Sequence, residues 1–224
     1  AFAEGSRDGF FELQDALYLQ IISDLGIDPG GMANGTIGRP TESMRAYQLT
    51  LEAESILLAA RSAKKSARQW RRAAKKIEQS LRLDPAYAKS YVIGAKAAES
   101  QGELDQALAG YGQASALDPN YVAPRMAIAH LTNRAGDNAS EISALQSVLE
   151  AASWYDEAYD RIGVAYERTG QTRLAAEYYD RALRLFSDHP DRLYRGGSVH
   201  LTLGQFDRAI SYLEHATTRI PGER

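Results

Sequence analysis

The 224-residue chain contains no cysteine and only four histidines. The lack of cysteine excludes disulfide bonds, thiolate zinc sites and cysteine nucleophiles. The histidines are not spaced as His-x-x-x-His on one helical turn, so the sequence does not indicate a metal site. No apolar stretch approaches the ~18 residues that a membrane-spanning helix needs, and no secretory signal is apparent. We therefore expect no cofactor and no catalytic centre, and a cytoplasmic location, or a periplasmic one if the chain is a processed product.

Charge is distributed unevenly along the chain. Residues 61–82 contain nine basic residues and one acidic residue, a net charge of +8, whereas the whole chain carries −3 and the remainder therefore −11. A solvated outer face, an acidic protein partner and a nucleic acid are three interpretations of such a segment. The negative total and a single interleaved aromatic residue, Trp70, disfavour nucleic acid. The basic patch comprises Lys64, Lys65, Arg68, Arg71, Arg72, Lys75 and Lys76.

A 34-residue period organises most of the chain. Corresponding residues recur at the same positions of five successive stretches, with no gaps between them. A fixed period of this length is the sequence signature of a helical solenoid, in which each repeat completes its core against its neighbours. The five repeats are 54–87, 88–121, 122–155, 156–189 and 190–223.

Each repeated position has a structural purpose. Position 15 is glycine from the second repeat onward, which can end a first helix in the left-handed backbone conformation. Position 20 is alanine in four repeats and Glu141 in the third, and small residues here and at position 27 allow two helices to approach closely. Acidic residues after the glycine are predicted to cap a second helix. The glycines and the capping acids are Gly102, Gly136, Gly170, Gly204, Asp105, Asp137 and Asp207.

The second repeat has the fullest set of these residues: Tyr91, Gly94, Ala95, Ala107, Tyr111, Ala114 and Leu117-Asp118-Pro119. The repeats resemble tetratricopeptide repeats. In the first repeat, Arg61 and Arg68 stand where this pattern has a small residue and a glycine. The resemblance implies an all-α, right-handed superhelix over residues 42–224. It also implies a non-catalytic scaffold that binds a peptide or helix of a partner protein.

The same resemblance implies which side chains face a ligand. First helices of tetratricopeptide repeats line a concave groove, into which positions 2, 5, 6, 9 and either 12 or 13 point. The predicted groove residues are Lys89, Val92, Lys96, Met126, His130, Asn133, Asp160, Arg161, Val164, Tyr194, Arg195 and Ser198. The lysine and asparagine with which some family members clamp a terminal carboxylate are not reproduced. The basic residues nevertheless favour an acidic peptide.

Residues 1–53 do not follow the repeat. Apolar residues at helical spacing predict an amphipathic helix over residues 8–25, and a glycine-rich linker follows it within a segment 1–41. This helix is predicted either to cap the first repeat or to dock onto another domain or protomer. Thr41 is predicted to cap a further helix that runs to Leu58.

A second resemblance concerns residues 10–22 and 39–58 together with the repeat ending Leu81-Arg82-Leu83-Asp84-Pro85. They are similar to the junction between a TolB-like region and tetratricopeptide repeats in certain bacterial signalling proteins. This similarity implies an alternative function, a regulatory or dimerisation module of a longer protein. A substrate-recognition arm of an enzyme is a third alternative. The outer surface of the last repeat, which includes Val199, Ile210 and Leu213, is left open by the repeat pattern. It is predicted to be covered by self-association, by a further segment or by a neighbouring molecule in a crystal.

Overall fold

The structure, a computed structural model, describes residues 41, 43–60, 66–185 and 189–219. These residues form ten α helices and contain no strand, so the predicted all-α class is confirmed. The amphipathic helix predicted for residues 8–25, the linker, Lys64 and Lys65 lie outside the described residues. The helices are α1 Met44–Ala60, α2 Ser66–Leu83, α3 Ala88–Gln101, α4 Leu104–Leu117, α5 Val122–Arg134, α6 Asn138–Ala151, α7 Asp156–Arg168, α8 Thr172–Leu185, α9 Pro190–Thr202 and α10 Phe206–Arg219.

The chain divides into two compact units. The amino-terminal unit comprises residues 1–103 and contains α1 to α3. The carboxy-terminal unit comprises residues 104–224 and contains α4 to α10. Within the described residues, no helix is both long enough and apolar enough to cross a bilayer.

The helices from α3 onward follow the predicted 34-residue spacing. First helices α3, α5, α7 and α9 and second helices α4, α6, α8 and α10 each begin 34 residues after the previous one of their kind. The four glycines at position 15 have φ between 71° and 81°. After Gly102, the backbone N–H of Glu103 donates to the carbonyl of Ala98 at 3.0 Å, which closes a Schellman turn. The predicted role of these glycines is confirmed.

Small residues bring first and second helices into close contact in the carboxy-terminal unit. A Cβ atom at Gly163 would lie 2.7 Å from the ring of Tyr179, and one at Gly197 would lie 2.7 Å from Cγ of Leu213. Ala175, at position 20, is completely buried in the same contact region. The side chain at position 24 therefore occupies the space that a side chain at position 8 would need.

The first pair of helices departs from the repeat. α1 begins ten residues before residue 54, the first residue of the first repeat. α2 begins one helical turn earlier in its repeat than the other second helices do. Arg68 occupies position 15 but lies within α2. Because arginine adopts the left-handed conformation only at a cost, no glycine-type helix end forms there.

Two details of helix capping also differ from the prediction. Ser43, not Thr41, caps α1, since its Oγ accepts a hydrogen bond from the backbone N–H of Ala46 at 3.2 Å. Asp137 caps α6 as predicted, by accepting from the N–H of Ser140 at 3.0 Å. Asp105 and Asp207 instead lie inside the first turns of α4 and α10, where a carboxylate still complements the helix dipole.

A buried hydroxyl cluster links the three helices of the amino-terminal unit. Thr50 of α1 lies 2.9 Å from Ser80 of α2 and 2.7 Å from Ser90 of α3, measured between hydroxyl oxygens. Ser80 also donates to the carbonyl of Ala46 at 2.9 Å. All three hydroxyls are buried and hydrogen-bonded, which allows polar side chains in a core otherwise made of Ala53, Ile77 and similar residues.

Candidate binding site

The first helices of the carboxy-terminal unit share one surface, which we term the first-helix face and define by α5, α7 and α9. Side chains connect these helices in sequence. Arg161 of α7 contacts the ring nitrogens of His130 of α5 at 3.2 and 3.3 Å. Arg195 of α9 lies 3.9 Å from the carboxylate of Glu167 of α7. The face is therefore predominantly polar and carries both signs of charge.

The predicted groove residues are distributed over both units and differ in exposure. Val92 and Met126 are buried, so the prediction that their side chains face a ligand is wrong. Met126 packs in a core cluster with residues such as Ile162, which is the ordinary place for an unbranched apolar side chain. The exposed members are Lys96, His130, Tyr194, Arg195 and Ser198, and the half-buried ones are Lys89, Asn133, Asp160, Arg161 and Val164.

Lys89 and Lys96 belong to the amino-terminal unit and differ in their environment. Lys89 Nζ lies 3.0 Å from the carboxylate of Glu54, which compensates its charge within the unit. Lys96 is exposed on α3, and no ion pair within the described residues involves it. Of these two lysines, Lys96 is thus the one whose charge an external ligand could compensate.

Glu141 of α6 holds three side chains of α5 and α7 in place. Its side chain is only 1 % exposed, yet it accepts hydrogen bonds from Asn133 Nδ2 at 2.9 Å, from Arg161 Nη2 at 3.0 Å and from Arg168. Burial alone would raise the pKa of Glu141, but these three partners outweigh it and hold the pKa below its ordinary value. The carboxylate is therefore ionised at neutral pH and fixes both arginines.

Arg192 of α9 connects this helix to α7. Its side chain is 2 % exposed, and its Nε and Nη2 donate to the two carboxylate oxygens of Asp160 at 2.6 Å each. Nη2 also donates to Asp156 at 3.2 Å. Burial would lower the pKa of Arg192, but the two carboxylates raise it. Asp160, predicted to face a ligand, is thus engaged by an internal partner.

Helix α9 presents the largest exposed apolar side chains of the face. Tyr194 and Leu201 are 64 % and 52 % exposed, respectively. They lie on one side of α9 two helical turns apart, with the exposed Ser198 between them. Leu201 was not among the groove residues predicted from the sequence. Its spacing of seven residues from Tyr194 does indicate that both lie on the same side of a helix.

The position-15 glycines and the 34-residue spacing of the helices agree with a family comparison. The family model for the tetratricopeptide repeat matches residues 57–122 and 161–223. The chain belongs to the tetratricopeptide-repeat family. No curated protein sequence matches the chain. Since tetratricopeptide repeats are protein–protein interaction modules, the chain is a scaffold of this class.

Solved structures of the same fold include those of MamA. One, from strain AMB-1, is 17 % identical, with 81 % of this chain and 94 % of that chain covered and a TM-score of 0.61. Another, MamA from Desulfovibrio magneticus RS-1, is 15 % identical, with 79 % and 95 % covered and a TM-score of 0.58. At these identities the likeness shows the tetratricopeptide-repeat fold alone.

Proposed function

We propose that the first-helix face of the carboxy-terminal unit binds a peptide or a helix of a partner protein, with Tyr194 and Leu201 as its apolar anchors. The observation that carries this proposal is the exposure of these two side chains on one side of α9. Tyrosine is among the residue types that contribute most to interface energies. An apolar residue of the ligand that lies over Ser198 would contact both anchors.

Charged side chains of the first-helix face supply specificity. Arg195 is half exposed, Arg168 is 39 % exposed, and Glu157 is 50 % exposed on the neighbouring helix α7. A ligand that carries an acidic residue one or two positions from its apolar anchor could reach Arg195. Exposed charge pairs of this kind contribute little affinity individually but discriminate against ligands of the wrong sign.

Internal ion pairs hold the face in one conformation. Glu141 fixes Arg161 and Arg168 against α6, while Arg192 fixes α9 against Asp156 and Asp160 of α7. A surface whose side chains are already held loses less conformational entropy when it binds. These contacts thus favour recognition of a preformed shape over folding on binding.

The proposal can be tested with a ligand selected by the protein itself. Peptides are first selected from a displayed library on the immobilised full chain, and the tightest is then synthesised. A photoreactive amino acid at position 198 should cross-link to this peptide, whereas the same group at Ser211, exposed on α10, should not. Cross-linking only from position 211 would contradict the proposal.

Substitutions then measure the contribution of the anchors. Tyr194→Ala and Leu201→Ala should each weaken binding of the selected peptide about tenfold or more, since each removes an interface anchor. The control variants Trp154→Ala and Phe206→Ala remove equally exposed side chains that do not belong to the first-helix face. If the controls weaken binding as much as the anchor variants do, the peptide binds elsewhere and the proposal fails.

A further inference from the structure

Four cations on the exposed side of α2 form a row, which we term the cationic row and define as Arg68, Arg71, Arg72 and Lys75. All four are exposed. No carboxylate of the described residues lies within 4.0 Å of any of them, whereas Lys76 and Arg82 on the same helix pair with Glu52 and Glu78. The row is thus positive charge that the described part of the chain does not neutralise.

The cationic row does not stabilise α2. Arg68 lies three and four residues before Arg71 and Arg72, and Lys75 lies four and three residues after them, so four like-charge pairs are neighbours on the helix surface. The polar contacts of the row are weak. Arg71 Nε donates to the carbonyl of Ala67 and Arg72 Nη1 to Gln69, both at 3.4 Å. An external anion would relieve this repulsion.

The shape of α2 excludes insertion into a membrane surface. Its apolar side, with Ala73 and Ile77, is buried against α1 and α3. The helix therefore has no free apolar face to insert among lipids, as an interfacial helix requires. Charge alone contributes about 1 kcal/mol per basic residue near an anionic membrane surface, and stable anchoring requires a second signal beside it.

A depression that contains two aliphatic side chains borders the cationic row on one side. A shallow depression between α1 and α2 is lined by Leu51, Glu52, Ser55, Ile56, Arg72 and Lys76. Leu51 is exposed and Ile56 is half-buried there. A ligand that lies along the row would therefore meet cations on one side and, on the other, the aliphatic carbon of Leu51 and Ile56 beside the Glu52–Lys76 ion pair. This combination suits a polypeptide with acidic and apolar side chains better than a phosphate backbone.

We propose that the cationic row and the adjoining depression form a second docking surface, for a short acidic segment of a partner protein. The row extends over about 10 Å of helix, which matches aspartate or glutamate residues spaced over two turns of a partner helix. The chain outside residues 61–82 carries a net charge of −11. A negative net charge of the whole protein disfavours association with a long polyanion, and a short acidic segment is repelled less.

Two synthetic helical peptides of equal composition test the proposal against the full chain at about 50 mM salt, where exposed charges are weakly screened. In the first, glutamates occupy positions i, i+3, i+4 and i+7, with leucines on the adjacent side. In the second, the same residues are scrambled. The first peptide should bind at least about threefold more tightly, because only its charges match the row.

Charge reversal identifies the surface that binds. Arg68→Glu, Arg71→Glu and Lys75→Glu combined should weaken the first peptide about tenfold or more. The control combination Arg173→Glu, Arg181→Glu and Arg184→Glu changes the net charge equally through exposed arginines of α8 and should leave affinity within about twofold. Circular dichroism checks that both variants remain helical. Tyr194→Ala should leave this binding unchanged, because the proposal does not depend on the first-helix face.

Three outcomes would overturn the proposal. One is equal binding of the two peptides, and another is an equal loss of affinity in both triple variants. The third is tighter binding of a single-stranded oligonucleotide, or of vesicles that contain phosphatidylserine, with loss in the cationic-row variant alone. That result would assign the row to nucleic acid or membrane instead.

Discussion

Glu141 places a carboxylate oxygen 3.0 Å from Arg161 Nη2, at a position where the other four repeats have alanine. Replacement by alanine, the residue of the other repeats, should therefore destabilise the protein. Glu141→Ala removes the shared partner of Arg161 and Arg168 and leaves Asn133 without its acceptor. We expect a loss of about 1–3 kcal/mol in the free energy of unfolding, measured by urea denaturation.

Glu150→Ala is a matched control for this prediction. Glu150 is exposed on the same helix, α6, and no ion pair is formed by it within the described residues. Its replacement should change the free energy of unfolding by less than about 0.5 kcal/mol. If Glu141→Ala unfolds at the same urea concentration as Glu150→Ala, the buried ion pairs contribute nothing to stability.

The stability that Glu141 contributes should depend on pH. The pKa of this carboxyl is lowered in the folded state, and its ordinary value is 4.5. Stabilisation is therefore complete above the unfolded-state pKa and is lost as the pH falls through the lowered folded-state pKa. The difference in urea midpoint between the wild-type protein and Glu141→Ala should be constant from pH 7 to about 5.5 and should narrow below 4.5. If the difference widens as the pH falls, folding raises the pKa of Glu141 and does not lower it.

A larger residue at Gly163 should disrupt the contact between α7 and α8. A Cβ atom at this position would lie 2.7 Å from the aromatic ring of Tyr179, which is completely buried and whose hydroxyl donates to Glu167, so a shift of the ring is costly. We expect Gly163→Ala to cost about 1–3 kcal/mol of unfolding free energy, as overpacking of a core does. Thermal unfolding monitored by circular dichroism would measure the change.

The same substitution at Gly112 should have the opposite effect on the free energy of unfolding. Gly112 lies inside α4, where a Cβ atom would meet nothing within 4 Å. Alanine should stabilise the helix here by about 0.5–1 kcal/mol, because it reduces the conformational entropy of the unfolded chain. Equal effects at Gly112 and Gly163 would show that helix propensity, not the ring of Tyr179, determines the result.

The regular part of the fold follows from a few residue types in the sequence. Glycine at position 15 and alanine at position 20 predict where the helices of residues 88–219 begin and how closely they pack. The first pair of helices could not be placed in this way, because Arg68 replaces the glycine that would mark a helix end. Its helices are joined by contacts such as the Thr50–Ser80–Ser90 cluster, whose members lie 30 and 40 residues from Thr50 and leave no local pattern in the sequence.

Less of the candidate site than of the fold could be predicted from the sequence. Family geometry placed Val92 and Met126 on a ligand-facing side, but their apolar character was the better indication, and both are buried. Glu141 was recognised as an exception without its partners, since Arg161 and Arg168 lie 20 and 27 residues away on another helix. No local motif brings such distant side chains together. Only the packing of α6 against α7 does so.

The contact between Arg192 and Asp160 depends on geometry as well as charge, and a substitution that keeps the charge separates the two contributions. Nε and Nη2 of the guanidinium meet both carboxylate oxygens at 2.6 Å, an arrangement that a lysine cannot reproduce. Arg192→Lys should therefore lose about 1–3 kcal/mol of unfolding free energy despite its unchanged charge. Arg173→Lys, at an exposed position of α8, should change it by less than about 0.5 kcal/mol. If Arg192→Lys keeps full stability in urea denaturation, charge alone holds α9 to α7, and the bidentate geometry is unimportant.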